Sequence, residues 1–267
     1  MFFYHKVICN NRMFNYLIVL VFILGIDYAA YGQASLSDSS AFSAKISIGG
    51  SLNDGNFQRI GLTNNADFAL NTRNRRFGLQ SHTQYNFTKT FGTVSENDLL
   101  TRTLFYSKLE KRWYAIFIFW YETNKLRQMH PLVQAGPSLE YVWLLQKDNM
   151  GGLSLGATYE HKRFNGSFFN ESKYDGSRSI NINRLFARLH GKNKIGISNV
   201  AFIYDIFYMP SLQYNDNYRV HAEASFGVPI SKHLNLRAGM NYNYESVVIA
   251  GVKPNDFFTD YGISINF

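Results

Sequence analysis

Eight basic and eight acidic residues of this chain recur at alternate positions of segments that read as β-strands, and these are the side chains best placed to do chemistry. The basic set is Lys45, Arg59, Arg102, Lys108, Arg184, Arg188, Arg219 and Arg237. The acidic set is Asp67, Glu122, Glu140, Glu160, Asp205, Glu223, Glu245 and Asp260. Alternation puts each on the strand face opposite the apolar one, so all sixteen face a common enclosed space if the strands close on themselves. A filter for ions of one sign would show an excess of the opposite charge. Equal numbers point to ion pairs that satisfy one another and fill that space, with a narrow selective pore as the competing reading.

One stretch breaks the polar character of that face. In Trp113 to Tyr121, with Ala115, Phe117 and Phe119 on the outer face, Tyr114, Ile116, Ile118 and Trp120 turn inward. An apolar wall inside a barrel either lines a slot for a hydrophobic ligand or packs against an inward-folded segment. Residues 33 to 40 and the loop from Lys162 to Ser179 are the segments available to do so.

Catalytic and metal chemistry find little support. His221, Glu223 and Ser225 share a strand face, but neighbours on one face stand about 7 Å apart, beyond proton-transfer reach. His130 and His161 fall near a rim where a histidine can activate a serine, yet no Gly-x-Ser-x-Gly is present. No spacing suggests zinc. Glu171 and Asp175 could approach calcium, but Lys173 and Arg178 share their loop. No cofactor is expected.

The elements that must carry these residues are strands of about ten residues. Twelve are expected: 42–52, 58–70, 77–87, 99–109, 113–122, 132–145, 153–161, 180–190, 195–208, 218–228, 234–244 and a last one ending the chain. The last is the clearest, with Phe257, Thr259, Tyr261, Ile263, Ile265 and Phe267 alternating against Phe258, Asp260, Gly262, Ser264 and Asn266. Tyr261, Ile263, Ile265 and Phe267 form the terminal aromatic signature of a bacterial outer-membrane barrel, read by the barrel-assembly machinery. The connections alternate: 71–75, 110–112, 146–150, 191–194 and 229–233 are short, whereas 88–98, 123–131 and 162–179 are longer. The expected fold is therefore all-β, a transmembrane up-and-down antiparallel barrel of about 12 strands, with short periplasmic turns and both termini on that side. A soluble β-sandwich is the rival, and it calls for more turn residues than the chain has.

Composition agrees. Aromatics make up 16% of the 267 residues, which suits interfacial girdles. Residues 1–32 read as a secretory signal to be cleaved: His5, Lys6 and Arg12, an apolar core from Phe14 to Ile26, then Ala30-Tyr31-Gly32. An uncleaved anchor is the alternative. Residues 33–40 form a polar leader and 41–267 the barrel. Cys9, the one cysteine, lies in the signal, so the mature barrel has no disulfide. Loss of Lys6, Arg12 and Asp27 takes the net charge from +8 to +7. The excess positive charge sits at the short turns, in Arg73, Arg75, Arg76, Lys111, Arg112, Lys147, Lys192, Lys194 and Lys232. Those residues meet anionic headgroups or dock a periplasmic protein; nucleic acid is not a partner in that compartment.

Several local motifs resemble a known family. Gly55-Asn56 after the first strand, Arg112-Trp113, and the stretch running through Tyr208-Met209-Pro210, Asp216-Asn217-Tyr218-Arg219 and Val228-Pro229-Ile230 are similar to the salt-induced outer membrane protein group, the YdiY-like barrels of unknown function. The resemblance covers most of residues 42 to 267. It implies an outer-membrane barrel with a link to salt or osmotic response, and it brings no catalytic or binding motif. The expected role is a narrow channel or envelope component, with carriage of a hydrophobic ligand and a lipid-modifying activity as alternatives.

Overall fold

A computed structural model describes residues 41–53, 59–74, 76–110, 112–146, 149–195, 200–231 and 233–266. The signal and leader expected over residues 1–40 lie outside these, as do Phe267, Arg75, Lys111, Lys147, Lys232 and the first connection, 54–58.

The chain is a closed antiparallel barrel of twelve strands in sequence order. They are β1 (Phe42–Asn53), β2 (Arg59–Asn71), β3 (Phe77–Thr90), β4 (Thr93–Lys108), β5 (Trp113–Asn124), β6 (Met129–Leu145), β7 (Met150–Phe164), β8 (Ser179–Ile195), β9 (Val200–Pro210), β10 (Tyr218–Pro229), β11 (Leu234–Glu245) and β12 (Asn255–Asn266). Every strand pairs with its sequence neighbour, and the seam between β1 and β12 closes the ring from Lys45↔Asn266 to Gly49↔Gly262. Closure leaves no sheet edge, the condition for a strand structure in hydrocarbon.

The period-2 alternation decides which face goes where. On β5, Tyr114, Ile116, Ile118, Trp120 and Glu122 are buried, while Phe117 and Phe119 are exposed on the outside. The outer surface continues with exposed Ile46, Ile48, Phe68, Phe105, Leu139, Leu155, Leu185, Leu236 and Ile263. A belt of large apolar side chains on this scale is untenable against water and is what a bilayer requires. Among the described residues no helix is long and apolar enough to cross a membrane.

Three expected connections fall elsewhere: the longer loop expected over 123–131 is a four-residue turn, 125–128, between β5 and β6. The segment 88–98 is not a loop: β3 and β4 continue as a hairpin closed by Phe91-Gly92, both at positive φ (46° and 79°). Residues 191–194 are not a turn but the end of β8, which runs on to Ile195 in register with the start of β7 and β9. At the turn end, where both terminal strands start and finish, connections are four or five residues. At the loop end the three long ones are 165–178, 211–217 and 246–254.

These three loops fold over one side of the barrel. A short 3-10 turn, Ser172–Tyr174, buries Tyr174. Phe169 bridges to Ile249, with Asn170 N–H donating to Val248 O (3.0 Å) and Ala250 N–H to Phe168 O (2.9 Å). Phe169 and Tyr174 with Val247 and Ile249 extend the buried apolar cluster of Ile118, Trp120, Phe186 and Phe207, so the β5–β9 half is filled and capped. The 165–178 loop thus caps this half at the loop end, where it meets Phe164, Tyr214 and Ile249.

Candidate functional site

The candidate site is the lumen, and Trp120 stands at its middle. Its ring is fully buried, packed edge-on by Phe207 (5.3 Å) and His221 (5.2 Å). The guanidinium groups of Arg102 and Arg219 lie over it at 5.2 and 5.3 Å. Each arginine is the hub of one set of charges.

Toward the loop end, Arg219 spans from β10 to three carboxylates: Glu122 on β5 (3.0 Å), Glu160 on β7 (2.8 Å) and Glu245 on β11 (2.9 Å). Arg184 also holds Glu160 (2.8 Å) and donates to Asn217 Oδ1 (2.9 Å) and Met209 O (2.9 Å). Lys162 reaches Glu245 (2.5 Å) and Glu160 (3.4 Å). Arg127, from the β5–β6 turn, pairs with Asp256 on β12 (2.7 Å) and lies 3.6 Å from Glu245. Trp120 Nε1–H donates to Glu122 (3.1 Å).

Toward the turn end, Arg102 crosses from β4 to Glu223 on β10 (2.9 Å) and lies 3.7 Å from Asp205. Arg188 binds Asp205 through two nitrogens (2.7 and 3.1 Å). His82 pairs with Asp67 (2.6 Å), and His221 Nε2 with Glu223 (2.6 Å). Ser154 donates to Glu140 (2.7 Å), which His190 approaches to 3.1 Å. Arg237 pairs with Asp260. Lys45 is buried and faces Asp67 in register. The side chain of Arg59 lies outside the described residues, and Lys108 is exposed at the turn end.

The structure therefore brings Asp67, Arg102, Glu140, Glu160, Arg184, Arg188, Arg219, Glu223 and Glu245 into two linked clusters, with Arg237 and Asp260 as a separate pair. Arg127, Lys162, His82 and His190 complete the clusters and were not singled out from sequence; His221 joins them too, and its Nε2 lies 2.6 Å from Glu223, so the long side chains close a gap between same-face neighbours that the backbone spacing put beyond hydrogen-bond reach. Tyr114, Ile116, Ile118 and Trp120 are at most 5% exposed, so little of that wall is free. Tyr261 and Ile263 lie on the outer face of β12, exposed like the rest of the belt, and Ile265 falls on the same face by alternation.

The rim residues do not assemble a catalytic pair. His161 Nδ1 contacts Asn181 Oδ1 (2.6 Å), and its outer-face neighbours are Tyr159, Arg163 and, across the pairing, Val133, none of them serine. His130 is exposed. Asp175 accepts the Phe169 N–H (2.7 Å), and among the described residues no group of three possible metal ligands occurs. In the cap, Lys173 pairs with Asp216 and lies over the Tyr214 ring (4.8 Å). The hydrogen bond between them raises the lysine's pKa and lowers the aspartate's. Burial raises the pKa of Tyr174, whose Oη accepts from Asn217 (2.8 Å).

Among solved structures, the translocator domain of autotransporter NalP from Neisseria meningitidis is 11% identical with a TM-score of 0.46, covering 96% of this chain and 95% of that one. The NanC porin is 10% identical with a TM-score of 0.44, covering 84% and 97%. The CymD monoaromatic hydrocarbon channel is 9% identical with a TM-score of 0.36, covering 90% and 95%. Likeness at this level carries no conclusion about function. No curated protein matches the sequence. A family model described as "Protein of unknown function, DUF481" matches residues 46–267, from within the first strand to the last residue, and the chain belongs to that family of outer-membrane β-barrels, the one the YdiY-like motifs indicated.

Proposed function

We propose that the protein is a narrow outer-membrane channel, shut across its middle in the conformation described, and not a general porin. The observation that carries this reading is the cross-lumen closure at Trp120, where Arg102–Glu223 joins β4 to β10 and Arg219–Glu122 joins β10 to β5. Polar space lies on either side of it: a cavity of about 90 Å³ toward the turn end, and one of about 650 Å³ open at the loop end beside β1–β4 and β12. A lumen that is polar above and below a single ionic closure suits small hydrophilic solutes admitted when the closure parts.

Single-channel recording on refolded residues 33–267 in a planar bilayer tests it. The wild type is expected to be nearly silent, and Arg102→Ala/Glu223→Ala to show stable steps. Large constant steps in the wild type would refute the closure. Silence of the double variant, in a barrel shown to be folded by heat-dependent gel migration, would refute the channel and leave an envelope component. Carriage of a hydrophobic ligand along Tyr114, Ile116, Ile118 and Trp120 needs a free surface, and no observation favours it. The protein is read as non-enzymatic.

Export belongs to the same reading: cleavage after residue 32, and delivery by the assembly machinery through Tyr261, Ile263, Ile265 and Phe267. The mass of the purified protein tests the first, and loss of surface assembly on deleting Phe267 the second. A link to salt or osmotic response, implied by the family resemblance, is tested by growth of a deletion strain in raised NaCl. Arg73, Arg76, Arg112 and Lys194, exposed at the turn end, are among the described residues available to meet lipid headgroups or a periplasmic protein there.

A further inference from the structure

The cavity of about 90 Å³ on the turn side of Trp120 has an unusual lining. Four of its side chains present a buried nitrogen that makes no hydrogen bond: Arg102 Nη1, Gln80 Nε2, His82 Nε2 and His190 Nε2. Arg102 and His190 are about nineteen-twentieths buried. Buried donors are almost always satisfied, so four of them around one small space mark a place built for an acceptor.

The carboxylates of the lining, Asp67, Asp205 and Glu223, each hold a partner, whereas Glu140, beside His190, keeps its Oε1 without a hydrogen bond. Asp67 is held by His82 Nδ1, Asp205 by Arg188, Glu223 by Arg102 Nη2 and His221, and Glu140 by Ser154. His190 Nε2 lies 3.1 Å from Glu140 Oε2 but outside hydrogen-bond geometry, and His82 Nε2 is 3.9 Å from Glu223. Lys45 and Arg237 stand behind Asp67 and Glu223 and add positive charge from β1 and β11. The cavity is thus lined by paired carboxylates and apolar side chains, with the unpaired N–H of Arg102 and Gln80 and the two imidazole Nε2 atoms set among them.

We infer that this cavity is a binding site for one small inorganic anion, a halide or an oxyanion, held by Arg102 Nη1 and Gln80 Nε2, with the Nε2 of His82 and His190 donating when protonated. At ~30 Å³ per water, the space takes a halide with one or two waters, or a single oxyanion. Arg102 and Gln80 donate at any pH. The site does not depend on conduction: an Arg102→Ala/Glu223→Ala barrel that stays silent, while the wild type binds anions, refutes the channel and keeps the site.

Trp120 reports on it directly, since Arg102 lies over its ring. In the Trp113→Phe/Trp143→Phe protein, Trp120 is the sole tryptophan, and iodide serves as both ligand and quencher. Quenching is expected to saturate in the millimolar range and to be displaced by chloride or by phosphate, whichever is the preferred class. Arg102→Met is expected to weaken it at least tenfold. Gln80→Leu, a milder change that leaves every ion pair in place, is expected to weaken it several-fold. Quenching that rises linearly without saturation, or saturates equally in folded Gln80→Leu and Arg102→Met, would overturn the site.

Discussion

Replacing Arg219 with methionine removes the residue that touches the most carboxylates in the lumen, and the cost follows from what each loses. Glu160 keeps Arg184 at 2.8 Å and Lys162 at 3.4 Å. Glu245 keeps Lys162 at 2.5 Å and Arg127 at 3.6 Å. Glu122 has no other cation partner among the described residues and keeps only the Trp120 N–H at 3.1 Å. One stranded buried carboxylate, not three, sets the size of the effect. Breaking a buried pair costs about 3–5 kcal/mol, and a single stranded group with a remaining donor puts Arg219→Met at the lower end, about 3 kcal/mol. That is more than a hundredfold in the unfolding equilibrium at ~1.4 kcal/mol per decade. Adding Glu122→Gln removes the stranded charge and is expected to recover about 2 kcal/mol of it. The assay is reversible urea unfolding of the barrel in lipid vesicles, followed by tryptophan emission. A loss under about 1 kcal/mol, or a double variant no more stable than the sum of its parts, would refute the reasoning.

Ile118→Ala is expected to cost about 3 kcal/mol in the same assay, since the side chain is fully buried beside Trp120 and leaves a cavity. Phe169→Ala should loosen the cap without unfolding the barrel, seen as faster trypsin cleavage after Lys173 and Arg178. The Lys173–Asp216 pair holds the cap within a pH window. Because the aspartate's pKa is lowered, its contribution is present above the ordinary carboxylate range and lost as pH falls through the lowered value. Because the lysine's is raised, its contribution is present below the ordinary lysine range and lost only as pH rises through the raised value. Amide protection of 165–178, measured relative to the Asp216→Asn protein, should exceed it between those limits and converge with it outside them; a constant ratio from pH 3 to pH 11 would count against the pair.

The inward phase of each strand was legible because a period of two survives wherever the outer face meets hydrocarbon. Arg184, Arg188 and Phe186 on β8, or Glu140 and Gln134 on β6, need nothing more than that rule to be placed inside. The rule fails where strands leave the lipid. Residues 88–98 carry polar side chains on both faces, so their hairpin looks like a loop although β3 and β4 pair through it. Gly191 to Lys194 has turn composition but is held in register by β7 and β9. Lys162 continues the inward phase of Thr158 and Glu160, so extending the expected strand by one residue would have found it. Arg127 comes from a four-residue turn with no periodicity to read, and its partners are far away in sequence. The three lumen histidines look like isolated polar residues along the chain; only closure of the ring sets His82 between Asp67 and Glu223.

Eleven of the twelve strand pairings join sequence neighbours, and each can form as soon as its hairpin exists. The twelfth, β1 with β12, must bring together residues some two hundred positions apart, and its register spans only Lys45↔Asn266 to Gly49↔Gly262. Closing a loop of that length costs about 5 kcal/mol in chain entropy, against about 1.5 for a five-residue turn. The seam also admits no bulk: a Cβ on Gly262 would meet Ile48 O at 2.6 Å, and one on Gly49 would meet Tyr261 O at 2.8 Å. The barrel therefore has one slow, late step in its maturation, the docking of its first strand against its last. Side chains placed at those two glycines would trap an open, curled sheet at the membrane, where unpaired edges recruit other chains.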